Sequence, residues 1–291
     1  MQREEVWFYS GGTKVSAWFF PGSGAGRRPG IVFCPGFTGT KYAAFYTPYI
    51  EAMTKAGYAV LILDYRGWGD SEGQRGLLYP LMQVEDIRSG LTYLELRDEV
   101  DPQRLGLIGV SFGGANVSYV AGVDPRVRCT VSVSGIADGA AWLQRMRREY
   151  EWVEFLDRVA EDRRARARGD ASPLVDPTEE IMIPTPERRQ TTVKGNVPAG
   201  KTATATPFAC AEAILDYRPA DVVHRIAPRA ILWTCVERDA VVPPEHSEMM
   251  YARAGEPKRL VRLRGATHYA AYLGLFDAIC GEALAWYAAH L

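Results

Sequence analysis

Residues 104–115 read RLGLIGVSFGGA, and the fold turns on why a run of aliphatic residues ends in a serine hemmed by glycines. Arg104 to Val110 crowds apolar side chains as a buried strand does. Phe112 to Val123 is rich in Ala and Val, stops at the breaker Asp124-Pro125, and reads as a helix. Ser111 stands at the junction. Glycine and serine are also ordinary turn residues, and a G-x-S-x-G string arises by chance in roughly one chain in ten of this length. Between a strand and a helix, however, Gly109-Val110-Ser111-Phe112-Gly113 becomes a tight turn that lifts the serine hydroxyl clear of the sheet. The helix behind it aims free N–H groups and its positive end at any oxyanion formed there.

Working outward, EEVWFYS and KVSAWFFPG read as an antiparallel pair joined at Gly11-Gly12. GIVFCPG is a short buried strand, and Thr47–Ala56 a helix stopped by Gly57. YAVLILDYRGWG follows as a strand with its exit loop, then a helix over Leu81–Asp98. Beyond the opening stretch come RVRCTVSVSG, PRAILWTCVERD, a helix from Pro244 to Ala254, KRLVRLRG and a closing helix over Leu275–Leu291. Strands alternating with helices predict an α/β fold, a mostly parallel sheet covered on both faces. Ligands of such sheets collect at the carboxyl ends of the strands, where Ser111 lies.

The interval from Ile136 to Tyr217 breaks this rhythm. Residues 140–169 carry Trp142, Met146, Tyr150, Val153 and Leu156 three or four apart, which predicts one amphipathic helix. Its RRARAR run lies among acids and reads as a solvated face. The prolines of SPLVDPTEEIMIPTPERRQTT forbid a long helix after it. The expected organisation is a catalytic core over 1–135 and 218–291 with a largely helical cap over 136–217. The apolar stripe needs something to cover, and Trp142, Tyr150 and Trp152 are the expected pocket residues.

The chain has 291 residues, 47% of them hydrophobic, and a formal net charge of −1. That supplies ample core and no electrostatic pull toward nucleic acid or an anionic membrane. No stretch approaches the roughly 20 apolar residues of a membrane span, and the N-terminal MQREEVWFYSGG has acids where a signal peptide needs an apolar run. The five cysteines, Cys34, Cys129, Cys210, Cys235 and Cys280, have no paired spacing and read as buried free thiols of a cytoplasmic protein. No metal or organic cofactor is expected.

A serine hydroxyl needs a base, and the chain offers four histidines. His290 is penultimate, His224 precedes a strand at the wrong end of the sheet, and His246 falls within a helix where a solvated position is the default. His268, in RLRGATHYAAY, directly follows a strand and shares the rim with Ser111. Asp239, in WTCVERDAVVP, follows another strand and can fix the imidazole tautomer; Glu237 is its nearest rival. Asp64 and Asp70 come before the serine and read as loop-fixing residues. Two donors for an oxyanion are expected from the Phe112 N–H and the Phe37 N–H, with Thr38 the alternative to Phe37.

The order Ser111, Asp239, His268, together with CPGFTGTK, GYAVLILDYRGWGDSEG, DPQRLGLIGVSFGG and VERDAVVPPEHS, resembles the α/β-hydrolase superfamily over nearly the whole chain outside the insertion. Within it the segments are similar to bacterial cinnamoyl/feruloyl esterases and dienelactone-hydrolase-like enzymes, and to the catalytic domain of prolyl-oligopeptidase-type peptidases. Pro35 stands where such enzymes usually carry histidine, and Ser111 where dienelactone hydrolases use cysteine. The resemblance implies a Ser111–His268–Asp239 serine hydrolase acting on a carboxylic ester or related acyl compound of small to medium size. The same triad on an amide, peptide, thioester or diketone C–C bond is the alternative, and a binding protein with dead chemistry a more distant one. The oligomeric state is left open, a homo-oligomer included.

Overall fold

The computed structural model of the chain describes residues 2–190 and 197–291; residues 191–196, inside the expected insertion, lie outside them. The chain opens with the predicted hairpin, β1 (Glu4–Ser10) and β2 (Thr13–Phe20), turning at two positive-φ glycines, Gly11 and Gly12. β3 (Arg28–Cys34), α1 (Thr47–Lys55), β4 (Ala59–Leu63), α2 (Pro80–Glu95), β5 (Val100–Val110), α3 (Phe112–Val123) and β6 (Val127–Val133) then alternate. After the interval come β9 (Ala230–Val236), α8 (Glu245–Arg253), β10 (Lys258–Leu263), α9 (His268–Leu273) and α10 (Phe276–His290).

Eight strands form one sheet in the order β1-β2-β4-β3-β5-β6-β9-β10, antiparallel at β1–β2 and β2–β4 and parallel from β4 to β10. The α/β expectation therefore holds. β4, AVLIL, and β9, AILWTCV, are buried at every position, as strands covered on both faces must be. α1 packs with α10, and α2 with α3, so helices sandwich the sheet. β10, at the edge, is only partly buried and carries Lys258, Arg259 and Arg262, charges that discourage edge pairing. The carboxyl ends of β3, β5, β9 and β10 lie along one rim.

The interval contains α4 (Gly139–Arg145), α5 (Glu149–Ala167), a small antiparallel pair β7 (Leu174–Val175) and β8 (Thr206–Pro207), α6 (Pro186–Gln190) and α7 (Ala209–Leu215). The single helix expected over residues 140–169 is two helices. The Glu151 carboxylate accepts the Arg148 N–H at 2.7 Å and starts a new helix there, which shifts the phase of everything downstream. Trp152, Phe155 and Val159 become the buried face of α5, while Tyr150, Val153 and Leu156 face solvent. All five cysteines are buried and unpaired. Among the described residues no helix is long and apolar enough to cross a membrane.

Candidate active site

Ser111 joins β5 to α3 at φ 57° and ψ −118°, a conformation that costs a non-glycine residue about 1–3 kcal/mol. It is held from both sides. A Cβ on Gly109 would meet the Gly113 carbonyl oxygen at 2.1 Å, and one on Gly113 would meet the Cys34 carbonyl oxygen at 2.1 Å. The glycines of the pentapeptide are therefore the space into which β3, β5 and α3 converge. The Ser111 N–H donates to the Val133 carbonyl at 2.8 Å, which anchors the turn to β6.

His268 is the first residue of α9, and its ring reaches both expected partners. Nδ1 lies 2.7 Å from Asp239 Oδ2, and Nε2 lies 3.2 Å from Ser111 Oγ. The other Asp239 oxygen accepts the N–H groups of Val241 and Val242, at 2.9 and 2.7 Å. With its carboxylate so fixed, Asp239 accepts a hydrogen bond from the Nδ1–H and leaves the Nε2 lone pair toward Ser111. The loop carrying Asp239 is drawn to the His268 loop by backbone bonds from Glu237 to Leu263 and from Arg238 to Ala266. Glu237 itself is exposed and turns toward the Gly265 N–H.

The loop after β3 folds against Ser111: a Cβ on Gly36 would lie 3.5 Å from the Ser111 Cβ. Gly39 N–H to Gly36 C=O closes a turn with Thr38 at φ 57°, and the Tyr46 hydroxyl accepts the Gly36 N–H at 3.0 Å. The Tyr65 hydroxyl donates to the Pro35 carbonyl, so two tyrosines hold this loop. Neither the Phe37 nor the Phe112 N–H donates to any partner among the described residues. Their rings stack edge to face, 5.6 Å apart.

Beneath the loop, Lys41 is buried with its ammonium bound to Asp64 at 2.7 Å and Asp70 at 2.8 Å. Asp64 also accepts the N–H groups of Lys41 and Asp70, which makes both aspartates loop-fixing residues in the literal sense. Burial raises the Asp64 pKa against the pull of Lys41. Burial acts on Asp70 too, but hydrogen bonds from Lys201, Lys41 and Tyr42 hold it well below the ordinary carboxylate range.

The expected pocket residues sit elsewhere. A cavity of about 690 Å³, counting the part open to solvent, begins at Ser111 and His268, and Trp142, Tyr150 and Trp152 are not among its lining residues. Trp142 is wholly buried behind it, its ring 5.6 Å from Phe37 and 5.8 Å from Phe112, with Nε1 donating to the Val241 carbonyl. Tyr150 is 56% exposed, and Trp152 stacks on Phe155 within the interval. The wall is made instead by Phe37, Phe45, Tyr269 and Tyr272, with Met182, Arg188, Val197 and Thr202 from the interval. His246, expected in solvent, is buried; its Nδ1 accepts the Ala137 N–H, and burial lowers its pKa.

Among the wall residues that escaped the sequence reading are Tyr272 and Arg188. The buried Tyr272 hydroxyl lies 2.8 Å from His268 Nε2, the nitrogen that also faces Ser111. Burial lifts its pKa well above the usual phenol value, so the hydroxyl keeps its proton. The signal was the spacing: once His268 starts a helix, a residue four on shares its face. Arg188 had no such signal, since it sits on a five-residue helix in a proline-rich segment.

A model of the alpha/beta hydrolase family matches residues 31–277, a span that takes in Ser111, Asp239 and His268. An Escherichia coli protein described as the uncharacterized 31.7 kDa protein in the traX-finO intergenic region is 32% identical over 274 residues, covering 91% of this chain and 92% of that one. The quorum-quenching protein AidA of Acinetobacter baumannii is 37% identical over 136 residues, 46% of this chain and 44% of its own. The solved alpha/beta hydrolase GrgF of a Penicillium species superposes with a TM-score of 0.84 at 22% identity, covering 100% of this chain and 99% of that one, a likeness of fold. By the family match and the E. coli relative, this chain is an enzyme of the alpha/beta hydrolase family.

Proposed function

We propose that the chain is a serine hydrolase that cleaves a carboxylic ester, or a related acyl compound, through an acyl-enzyme. The observation that carries this reading is the single imidazole bound at one nitrogen to Asp239 and facing Ser111 with the other. Ser111 Oγ attacks the acyl carbon as His268 Nε2 takes its proton; Asp239 steadies the imidazolium. The N–H groups of Phe37 and Phe112 hold the oxyanion, helped by the N-terminus of α3. His268 returns the proton to the leaving group, and water, deprotonated by the same nitrogen, then releases the acid. Tyr272 donates to that lone pair at rest and must yield it as the serine proton arrives.

Residues 136–217 act as a cap in this reading, supplying Met182, Arg188, Val197 and Thr202 to the cavity wall. The buried thiols suit a reducing compartment, and the cytoplasm is the proposed location.

The test is a panel of p-nitrophenyl esters, anilides and thioesters run on the wild type and on Ser111→Ala. Ester turnover should fall roughly 10⁴–10⁶-fold in the variant, and a fluorophosphonate should label Ser111 once per chain. Near-normal turnover by the variant would remove Ser111 from the chemistry.

A further inference from the structure

Among the described residues that line the cavity, Arg188 is the one permanently charged side chain. No carboxylate lines the cavity among the described residues. Two other described cations, Lys41 and Lys201, are already paired, Lys41 with Asp64 and Asp70 and Lys201 with Asp70. Arg188 forms no ion pair with any described residue, and the six residues outside the description, TTVKGN, contain no acid. Among the described residues its guanidinium makes one hydrogen bond, from Nη1 to the Tyr269 hydroxyl at 3.2 Å. The neighbouring Glu187 does not line the cavity; it accepts a hydrogen bond from Thr267. A guanidinium carries five donors, and among the described residues only one of Arg188's is engaged.

Tyr269 follows His268 in sequence, and their rings meet edge to face at 5.2 Å. The guanidinium is thus one side chain removed from the imidazole, on the wall that a bound acyl compound would touch. An arginine in a largely apolar cavity favours a ligand that neutralises it, and its planar fork matches carboxylate and phosphate oxygens two at a time.

Resting on the serine-hydrolase reading, we infer that the substrate is anionic: it carries a carboxylate or phosphate, apart from the bond to be cleaved, that pairs with Arg188. This assigns a specificity determinant and a substrate class to the site. The anion orients the scissile carbonyl against Ser111, while the apolar wall of Phe45, Met182 and Val197 takes the connecting carbons.

Binding and turnover test it separately. Heptanoate, hexyl phosphate and heptanol are titrated calorimetrically into Ser111→Ala protein, with and without Arg188→Gln. At least one anion should bind roughly tenfold or more tightly than the alcohol, and the gap should close in the Arg188→Gln protein. The tighter of the two anions identifies the group as carboxylate or phosphate. Equal binding of anions and alcohol, or a gap that survives Arg188→Gln, overturns the inference. In turnover, the ratio of kcat/KM for the p-nitrophenyl monoester of adipic acid to that for p-nitrophenyl hexanoate is compared between wild type and Arg188→Gln, with Arg188→Lys as an intermediate case. If the anion rides on the acyl chain, that ratio should drop about tenfold or more in Arg188→Gln and partly recover in Arg188→Lys. Anion binding through Arg188 without cleavage of any ester would leave this inference standing and sink the serine-hydrolase reading.

Discussion

At the residue scale, the serine's strained backbone is enforced by absent side chains. α3 can approach the end of β3 only because Gly113 has no Cβ, which would sit 2.1 Å from the Cys34 carbonyl and 2.6 Å from that of Pro35. Both obstacles are backbone, so neither can swing away. Gly113→Ala should therefore destabilise the protein by at least roughly 1–3 kcal/mol in urea denaturation. Gly281, exposed within α10 with nothing within 4 Å of its Cβ position, makes the opposite case. Gly281→Ala should stabilise by about 0.5–1 kcal/mol through helix propensity alone. If both substitutions moved stability the same way, close approach would not be the reason for Gly113. Such residues are legible because their chemistry restricts what can stand there. A nucleophile, base and acid must each sit at a strand's carboxyl end; that requirement singled out His268 and Asp239, which the structure places together beside Ser111. Arg188 obeys no local rule: any surface arginine would look the same until the chain around it is folded.

At the element scale, periodicity finds a helix but not a change of phase. The stripe through Trp142, Met146, Tyr150, Val153 and Leu156 is real as a pattern, yet the break between α4 and α5 leaves Trp142 in the core, Met146 partly buried against it and the last three exposed. The break is itself held by contacts far off in sequence: Arg147 donates to the carbonyls of Glu180 and Ile181. Nothing within residues 140–169 announces those bonds. The two ends of the stripe should respond differently to truncation. Trp142→Ala empties a site packed against Phe37 and Phe112, and should cost about 3–5 kcal/mol. Tyr150→Ala, at an exposed ring, should change stability by no more than about 0.5 kcal/mol. Because Trp142 backs the two phenylalanines whose amides are proposed to hold the oxyanion, its loss should also lower kcat on every ester alike. A changed preference among acyl chains would instead indicate that Trp142 meets the substrate.

At the scale of the whole molecule, alternation of strand and helix was enough to predict the sheet, since a parallel sheet leaves few ways to connect its strands. How the interval attaches to that sheet was not predictable, because its ties, apolar ones such as Trp142 on Phe37 and Phe112 and single polar contacts alike, join residues far apart in sequence. One of them joins Lys201, from the interval, to Asp70 in the loop after β4, where Lys41 and Tyr42 also converge. Burial works against the charge on Asp70, but these three donors together keep its pKa below that of the unfolded chain. The unfolded state therefore takes up the proton first as pH falls. The stability this carboxylate supplies is complete above about pH 4 and is lost as the pH drops through the range between the two pKa values. Asp70→Asn, which cannot ionise, should be less stable than wild type by about 1–3 kcal/mol at pH 7. The gap should narrow steadily when both proteins are melted in buffers from pH 4.5 down to pH 2.5, because acid removes from the wild type what the substitution has already removed. Carboxylates outside the cluster of Lys41, Asp64 and Asp70 titrate equally in both proteins and cancel in the difference. A gap that stays constant across that range would mean that Asp70 acts through shape, and that the tie between interval and core is not electrostatic.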